Sequence, residues 1–364
     1  MIIGLEASRA NRPDKTGTEW YAWHLLQEFK RIDQNHIFNV YFNQDLEPGL
    51  AVAPANFCFQ QLRWDLPKLW THFRLSWELF NCPVDKFFAS NAVPLYCPGE
   101  VTLTVHDLGF YRNPSLYHPL ERIYHKVSHY IAIHRADKII AVSAATKKDI
   151  IKYFPEAKEK IRVIYNGWNK DDFRPASEET KHSIRQKYDL PNNFLLYLGR
   201  LETKKNILNL IKAYQLLKNK DWPLVLAGRP GNFGYDEILN LINSVKEGQV
   251  IQLGYLPQDD YQKLIASSSI FVFPSKFEGF GIPILEAMGS GVPVICSDIE
   301  VLHEVADDDA LYFDPDRPEK MAEVIDNLIE NKEKREEYIE RGLIRATHFA
   351  WDKCAHETLN YILE

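Results

Sequence analysis

Short apolar runs alternate with helix-length amphipathic runs along the whole chain, and no other feature of the sequence constrains the fold as tightly. Strand candidates in the first half are Ile2–Ala7, Ile37–Tyr41, Lys86–Ala89, Val101–Val105, Lys138–Ala141 and Ile161–Ile164. Between them lie helix candidates Thr18–Lys30, Leu120–Ile133 and Ala144–Tyr153. The second half repeats the rhythm with strands at Phe194–Leu198, Leu224–Ala227, Val250–Leu253, Ile270–Val272, Val294–Cys296 and Ala310–Phe313. Its helices are Ile207–Leu217, Tyr235–Lys246, Asp259–Ala266, Pro283–Met288 and Glu319–Tyr338. Strands that need a helix to return them predict an α/β protein with parallel sheets covered on both faces. A chain of 364 residues is long enough for two such domains. The polar, proline-punctuated stretch Asp171–Glu179 reads as a linker within 166–193, giving domains of 1–174 and 175–350.

Charge is spread unevenly. Residues 1–174 hold 22 Lys and Arg against 19 Asp and Glu, while residues 175–364 carry a net charge of −10. Such an acidic half excludes a nucleic-acid partner, which needs many cation–phosphate contacts. Five cysteines with no CxxC pair predict free thiols in a reducing cytosol. No apolar run is long enough to span a bilayer, and the N-terminus lacks the layout of a signal peptide.

Ligands of open parallel sheets sit beyond the carboxyl ends of the strands, so the residues just after strands carry the most information. After Ile270–Val272 comes Lys276-Phe277-Glu278-Gly279-Phe280-Gly281-Ile282-Pro283-Ile284-Leu285-Glu286. Gly279 and Gly281 let backbone approach a ligand, and the amides of Phe280, Gly281 and Ile282 would stand at a helix N-terminus that favours an anion. Glu278 falls in the loop and Glu286 about two turns inside the helix. Two carboxylates can accept hydroxyls at both ends of a sugar-bearing ligand; a capped helix with solvated acids is the bland alternative. After Phe194–Leu198, Gly199 opens a loop in which Arg200 and Lys205 can converge on one phosphate group, unless they are simply surface cations. His106, at the end of Val101–Val105, can hydrogen-bond a hydroxyl with Asp107 fixing its ring, or can be an ordinary structural histidine. Gly17, just before the first helix, could place an amide on a phosphate; an N-cap by Thr16 or Thr18 explains it equally well.

In this order these elements resemble the retaining glycosyltransferases of sequence family 4, which have the GT-B fold. The most specific piece is Glu278 to Glu286 in Glu-Gly-Phe-Gly-Ile-Pro-Ile-Leu-Glu-Ala-Met, with Arg200-x4-Lys205-Asn206, Val163-Ile164-Tyr165-Asn166-Gly167 and Gly289-Ser290-Gly291-Val292-Pro293-Val294 around it. His106-Asp107-Leu108 and Val142-Ser143-Ala144 resemble the mannosyltransferase-type branch that builds bacterial surface polysaccharides. The family often has Pro where this chain has Tyr165, and its first-strand loop is shorter than Ser8–Thr18.

The resemblance implies two doubly wound, Rossmann-like domains facing a central cleft, with a C-terminal helix (351–364) returning to the first. It implies transfer of a hexosyl group, mannosyl first, from a nucleotide-diphosphate sugar to a glycan or lipid-linked acceptor with retention of configuration. Glu278 would lie at the donor sugar, Glu286 at the ribose, Arg200 and Lys205 at the diphosphate, Gly17 and His106 on the first-domain side. GDP-mannose is the first donor expected and a UDP-sugar the next. Cations and amides aimed at the leaving diphosphate would replace a metal or other cofactor. Accordingly Asp314-Pro315-Asp316 reads as a turn rather than a metal motif, and His125-x3-His129 lacks a third ligand.

The rival readings are a non-catalytic nucleotide-sugar-binding scaffold and a sucrose- or glycogen-synthase type of GT-B enzyme. In Trp64–Phe80, the apolar Leu66, Leu69, Trp70, Phe73, Trp77 and Phe80 form one helical stripe, with Arg63, Lys68, His72 and Arg74 elsewhere. Packing on the first-domain core is the plain expectation for this stripe. The alternative is a surface that touches a membrane, which would put the enzyme at its inner face, or a lipid-linked acceptor.

Overall fold

The structure is a computed structural model that describes residues 1–66, 69–231, 233–246 and 248–364. Its contacts divide it into two units: Met1–Pro114, Pro119–Gly167 and Ala350–Glu364 in the first, Ser115–His118 and Trp168–Phe349 in the second.

The first unit is built on seven parallel strands: β1 (Ile2–Glu6), β2 (Ile37–Phe42), β3 (Phe57–Gln61), β4 (Lys86–Ala89), β5 (Glu100–Val105), β6 (Lys138–Ala141) and β7 (Ile161–Val163). Their order is β3-β2-β1-β4-β5-β6-β7. Its helices are α1 (Gly17–Ile32), α2 (Pro48–Ala51), α3 (Trp70–Asn81), α4 (Gly109–Arg112), α5 (Pro119–Arg135) and α6 (Ala144–Tyr153). The second unit has six parallel strands, β8 (Leu195–Leu198), β9 (Leu224–Ala227), β10 (Val250–Gly254), β11 (Ile270–Phe273), β12 (Val294–Ser297) and β13 (Leu311–Phe313). These run in the order β10-β9-β8-β11-β12-β13. Around them stand α7 (Glu178–Lys187), α8 (Ile207–Leu216), α9 (Tyr235–Asn243), α10 (Gln258–Ser267), α11 (Ile282–Gly289), α12 (Glu300–Ala306), α13 (Pro318–Glu330) and α14 (Lys332–Ala346). The last helix, α15 (Trp351–Leu363), packs on α1: Trp351 stacks on His24 at 4.9 Å and lies edge-on to Tyr21.

The central strands of both sheets are buried on both faces, which is why they read as unbroken apolar runs. Leu195, Leu196, Leu224, Val225, Phe271 and Val272 are fully buried. Several expectations need correction. β3 was not expected, because Phe57-Cys58-Phe59-Gln60-Gln61 is an edge strand whose polar half breaks the pattern. The stretch read as linker ends in helix: Ser177 accepts a hydrogen bond from the Thr180 amide and starts α7. The single helix expected over Glu319–Tyr338 is two, because Asn331 ends α13 and its side chain caps α14. The stripe Leu66–Phe80 does not pack on the core. Trp70 is buried, but Leu66, Leu69, Phe73, Trp77 and Phe80 are exposed, and α3 meets the unit through Leu75 and Leu79. Lys68 lies outside the described residues. The five cysteines are free. No described helix is long and apolar enough to cross a membrane.

Candidate functional site

In a doubly wound sheet the crevice for a ligand opens where the strand order reverses. In the second unit that point lies between β8 and β11, and the loops following these two strands hold most of the expected residues. They are tied together by the Lys276 amide, which donates to the Lys204 carbonyl at 3.1 Å. Across the same junction the Lys205 ammonium meets the Glu278 carboxylate at 2.5 Å, with both side chains mostly buried.

The loop after β8 is shaped by its backbone. Gly199 has φ of +148° and Gly228, after β9, has φ of +144°; a Cβ on Gly228 would stand 1.9 Å from the Gly199 carbonyl oxygen. Tyr197, fully buried in β8, donates its hydroxyl to the Arg200 carbonyl at 2.9 Å and supports the turn from below. Asn206 ends it in the left-handed region, φ +61°, and its amide group holds the Pro315 carbonyl at 2.7 Å. Arg200 is exposed, so its guanidinium can swing to a ligand, whereas Lys205 is fixed by Glu278. Asp314-Pro315-Asp316 is a turn: Asp314 accepts from the Asp316 amide at 2.9 Å, and Asp316 pairs with Lys276 at 2.5 Å.

After β11, Gly281 adopts φ of +112° and serves as the N-cap of α11, with Pro283 in the first turn. Gly279, Phe280 and Ile282 line this junction, and Phe280 is buried edge-on to Phe349 at 5.8 Å. α11 starts at Ile282, so Glu286 sits a little over one turn in, not two. Its carboxylate accepts the Tyr261 hydroxyl at 2.7 Å. Burial pushes Glu286 up to about 7, the Tyr261 hydrogen bond pulling the other way and Asp172 adding to the rise. Tyr261 was not anticipated. It is on α10, and only the packing of α10 against α11 brings it to Glu286.

In the first unit the order reverses between β1 and β4. His106, just past β5, is held there by its Nε2, 2.9 Å from the Ser90 carbonyl that follows β4, and by the edge of Tyr21 at 4.7 Å. Burial lowers its pKa to about 4. A neutral ring that donates from Nε2 presents Nδ1 as an acceptor, suited to a hydroxyl. Asp107 does not orient the ring, as had been expected; its carboxylate accepts the Gly109 amide at 2.8 Å instead. Gly17 opens α1 in open space, where a Cβ would meet nothing within 4 Å. Thr16 and Glu19 form a capping box there, and Glu19 pairs with Arg9 at 2.5 Å. His125 and His129 both pack on the Phe110 ring.

Two Rossmann-like units, the second with Lys205 and Glu278 paired where its sheet reverses, define a protein of the GT-B fold. The chain belongs to the glycosyltransferases: residues 179–345 match the model "Glycosyl transferases group 1", and residues 16–172 match "Glycosyltransferase Family 4". It is similar to O-antigen chain mannosyltransferase B of Escherichia coli, 36% identical over 263 residues, covering 71% of this chain and 68% of that one. It is also similar to the serotype-specific mannosyltransferase WbdA of Escherichia coli, 32% identical over 231 residues, 61% of this chain but only 28% of that longer protein. Among solved structures, sucrose-phosphate synthase from Thermosynechococcus elongatus superposes with a TM-score of 0.79 over 99% of this chain and 97% of that one, at 17% identity.

Proposed function

We propose that the chain transfers a mannosyl group, with retention, from GDP-mannose to a glycan or lipid-linked glycan acceptor. A UDP-sugar is the next donor in line. The observation that carries this is the paired Lys205 and Glu278 at the β8/β11 reversal, beside the N-terminus of α11. A cation, a helix end and a carboxylate at one crevice suit a ligand that is a diphosphate at one end and a polyhydroxyl at the other.

On this reading Arg200, Lys205 and the amides of Phe280–Ile282 stabilise charge as it builds on the leaving diphosphate, the work a divalent ion does elsewhere. Gly199, Gly279 and Gly281 keep backbone close to the donor, and Gly17 adds an amide from α1. Glu278 holds the transferring sugar and Glu286 the ribose. His106 accepts a sugar hydroxyl at Nδ1. Retention proceeds by front-face attack, with the donor phosphate taking the acceptor's proton. Support for mannose comes from the two mannosyltransferase relatives.

The test is turnover of a panel of nucleotide sugars in excess EDTA. GDP-mannose should be hydrolysed slowly without acceptor and raise the melting temperature most. A chain that binds donors but never turns them over is a scaffold, and activity that needs Mg²⁺ or Mn²⁺ removes the metal-independent mechanism.

A further inference from the structure

Just past Gly167 the chain passes from the first unit into the second through Trp168-Asn169-Lys170-Asp171-Asp172-Phe173-Arg174-Pro175. Charge and proline make this stretch read as a plain connection, and Asp171, Asp172, Arg174 and Pro175 are exposed. Phe173 is not: only 3% of it reaches solvent. A turn holds it in place. Its amide donates to the Asn169 carbonyl at 3.0 Å, while the Asn169 side chain donates to Asp172 at 2.7 Å and accepts the Asp171 amide at 3.1 Å. The start of the stretch is fastened to the helix that carries Glu286. Trp168 lies so close to Gly289, the last residue of α11, that a Cβ there would stand 2.1 Å from its ring. Its Nε1 donates to the Ala346 carbonyl at 2.7 Å.

The buried ring meets one particular neighbour. Phe173 stands edge-on to Tyr261, with 5.8 Å between ring centroids and 85° between planes. Tyr261 is the residue whose hydroxyl donates to Glu286 Oε2 at 2.7 Å. Asp172 bears on the same carboxyl, its charge adding to the rise in the Glu286 pKa. Two adjacent side chains of one short stretch thus converge on one carboxyl of α11. A carboxylate that accepts hydroxyls needs its plane fixed as well as its position. The Tyr261 hydroxyl takes Oε2, so its direction decides where Oε1 points. Tyr261 is carried by α10, and the Phe173 ring against its flank limits how far it can turn.

We propose that Phe173 is a positioning residue for donor binding, an inference that rests on the ribose reading of Glu286. Phe173 fixes the Tyr261 ring, and through it the Glu286 oxygen that meets the ribose hydroxyls. Truncating a residue that merely fills space weakens every nucleotide alike. Truncating Phe173 should weaken only the part of the affinity that comes from the ribose hydroxyls.

The experiment is titration of the wild type and its variants with GDP and with dideoxy-GDP, which lacks both ribose hydroxyls but keeps the base and the diphosphate. The same pair of uridine nucleotides covers the second donor. The wild type should bind the hydroxylated nucleotide about tenfold tighter or more, because hydrogen bonds to a charged group are among the stronger ones. Phe173→Ala should remove most of that preference and leave the dideoxy affinity nearly unchanged. Tyr261→Phe, which keeps the ring and loses only the hydroxyl, should do the same, and adding Phe173→Ala to it should cost no further preference. Equal loss of both affinities in Phe173→Ala, with the preference intact, overturns the inference and leaves Glu286 at the ribose. Full preference in Tyr261→Phe overturns it as well, and does so even where Phe173→Ala fails to fold. A wild type that binds neither pair, or shows no preference within either, overturns the ribose reading and this inference together.

Discussion

Glu286 is the residue whose chemistry the fold perturbs most usefully, and Glu286→Gln tests it. Burial lifts the carboxyl from 4.5 to about 7. Between these two pH values the folded chain keeps a proton that the unfolded chain has released. This group's contribution to stability is therefore intact below pH 4.5 and is lost as pH rises through 7. A shift of that size corresponds to about 3 kcal/mol at pH 8, an upper bound because solvent still reaches part of the residue. Glutamine carries no charge at any pH, and its carbonyl can still accept the Tyr261 hydroxyl. Glu286→Gln should thus be close to neutral at pH 5 and stabilising at pH 8. A domain of this size gains about 2–4 °C per kcal/mol, so the melting temperature at pH 8 should rise by several degrees. The assay is thermal unfolding of both proteins at pH 5 and pH 8 without nucleotide. Equal shifts at the two pH values, or a variant less stable at pH 8, would show that the carboxyl is not desolvated as described. The intact donor gives the second arm. If ribose hydroxyls favour the charged carboxylate, donor affinity rises with pH through 7 in the wild type and is flat in Glu286→Gln.

Arg200→Ala and Lys205→Ala should each lower turnover about 10²–10³-fold, as does loss of one fixed donor to a developing oxyanion; near-wild-type turnover in either would remove that residue from the diphosphate site. Glu278→Gln frees Lys205 from its ion pair, so turnover should fall while nucleoside diphosphate affinity holds or rises; weaker diphosphate binding than in Glu286→Gln would reverse the two roles. With its pKa near 4, His106 should add no limb to the pH–rate profile above pH 5, and a limb near pH 6.5 that disappears in His106→Asn would contradict the neutral-ring reading. Trp351→Ala should cost about 3–5 kcal/mol, because the ring is buried between His24 and Tyr21; a loss under about 1 kcal/mol in denaturant titration would mean α15 contributes little to the first unit.

The sheets were legible because a strand buried on both faces leaves a short run of Val, Ile, Leu and Phe that needs no partner to be recognised. Lys86–Ala89, Lys138–Ala141 and Leu224–Ala227 lie where the sequence puts them. β3 escaped because half of it is polar, and α7 because Glu178 and Glu179 look like linker until Ser177 is recognised as their cap. The loops after β8 and β11 announced themselves through glycine, charge and position. What sequence could not supply was the partner of each charge. Nothing in Lys205 or Glu278 alone says that they pair across the two loops, and nothing near Glu286 names Tyr261, which is 25 positions away on another helix. The same limit gave the His106 ring the wrong partner: Asp107 is its neighbour in sequence, yet the ring is held by Ser90, which only the pairing of β4 with β5 makes adjacent.

α3 and α5 show a different failure, and it is the more instructive one. The period of apolar residues reports that a helix has two faces, not which of them turns inward. For most helices the sheet settles this, because an apolar face has nowhere else to go. On α5 the sheet side is taken by Ala132, Ile133 and two histidines on Phe110, a surface of modest apolar area. The richer face, from Leu120 to Tyr130, is left to whatever the first unit meets. A chain that gained stability only from its own core would have the opposite arrangement, since each large apolar side chain turned inward is worth about 1.5–3 kcal/mol. That stability has been forgone on two helices of the same unit. The inversion is therefore better explained by an outside surface than by poor packing.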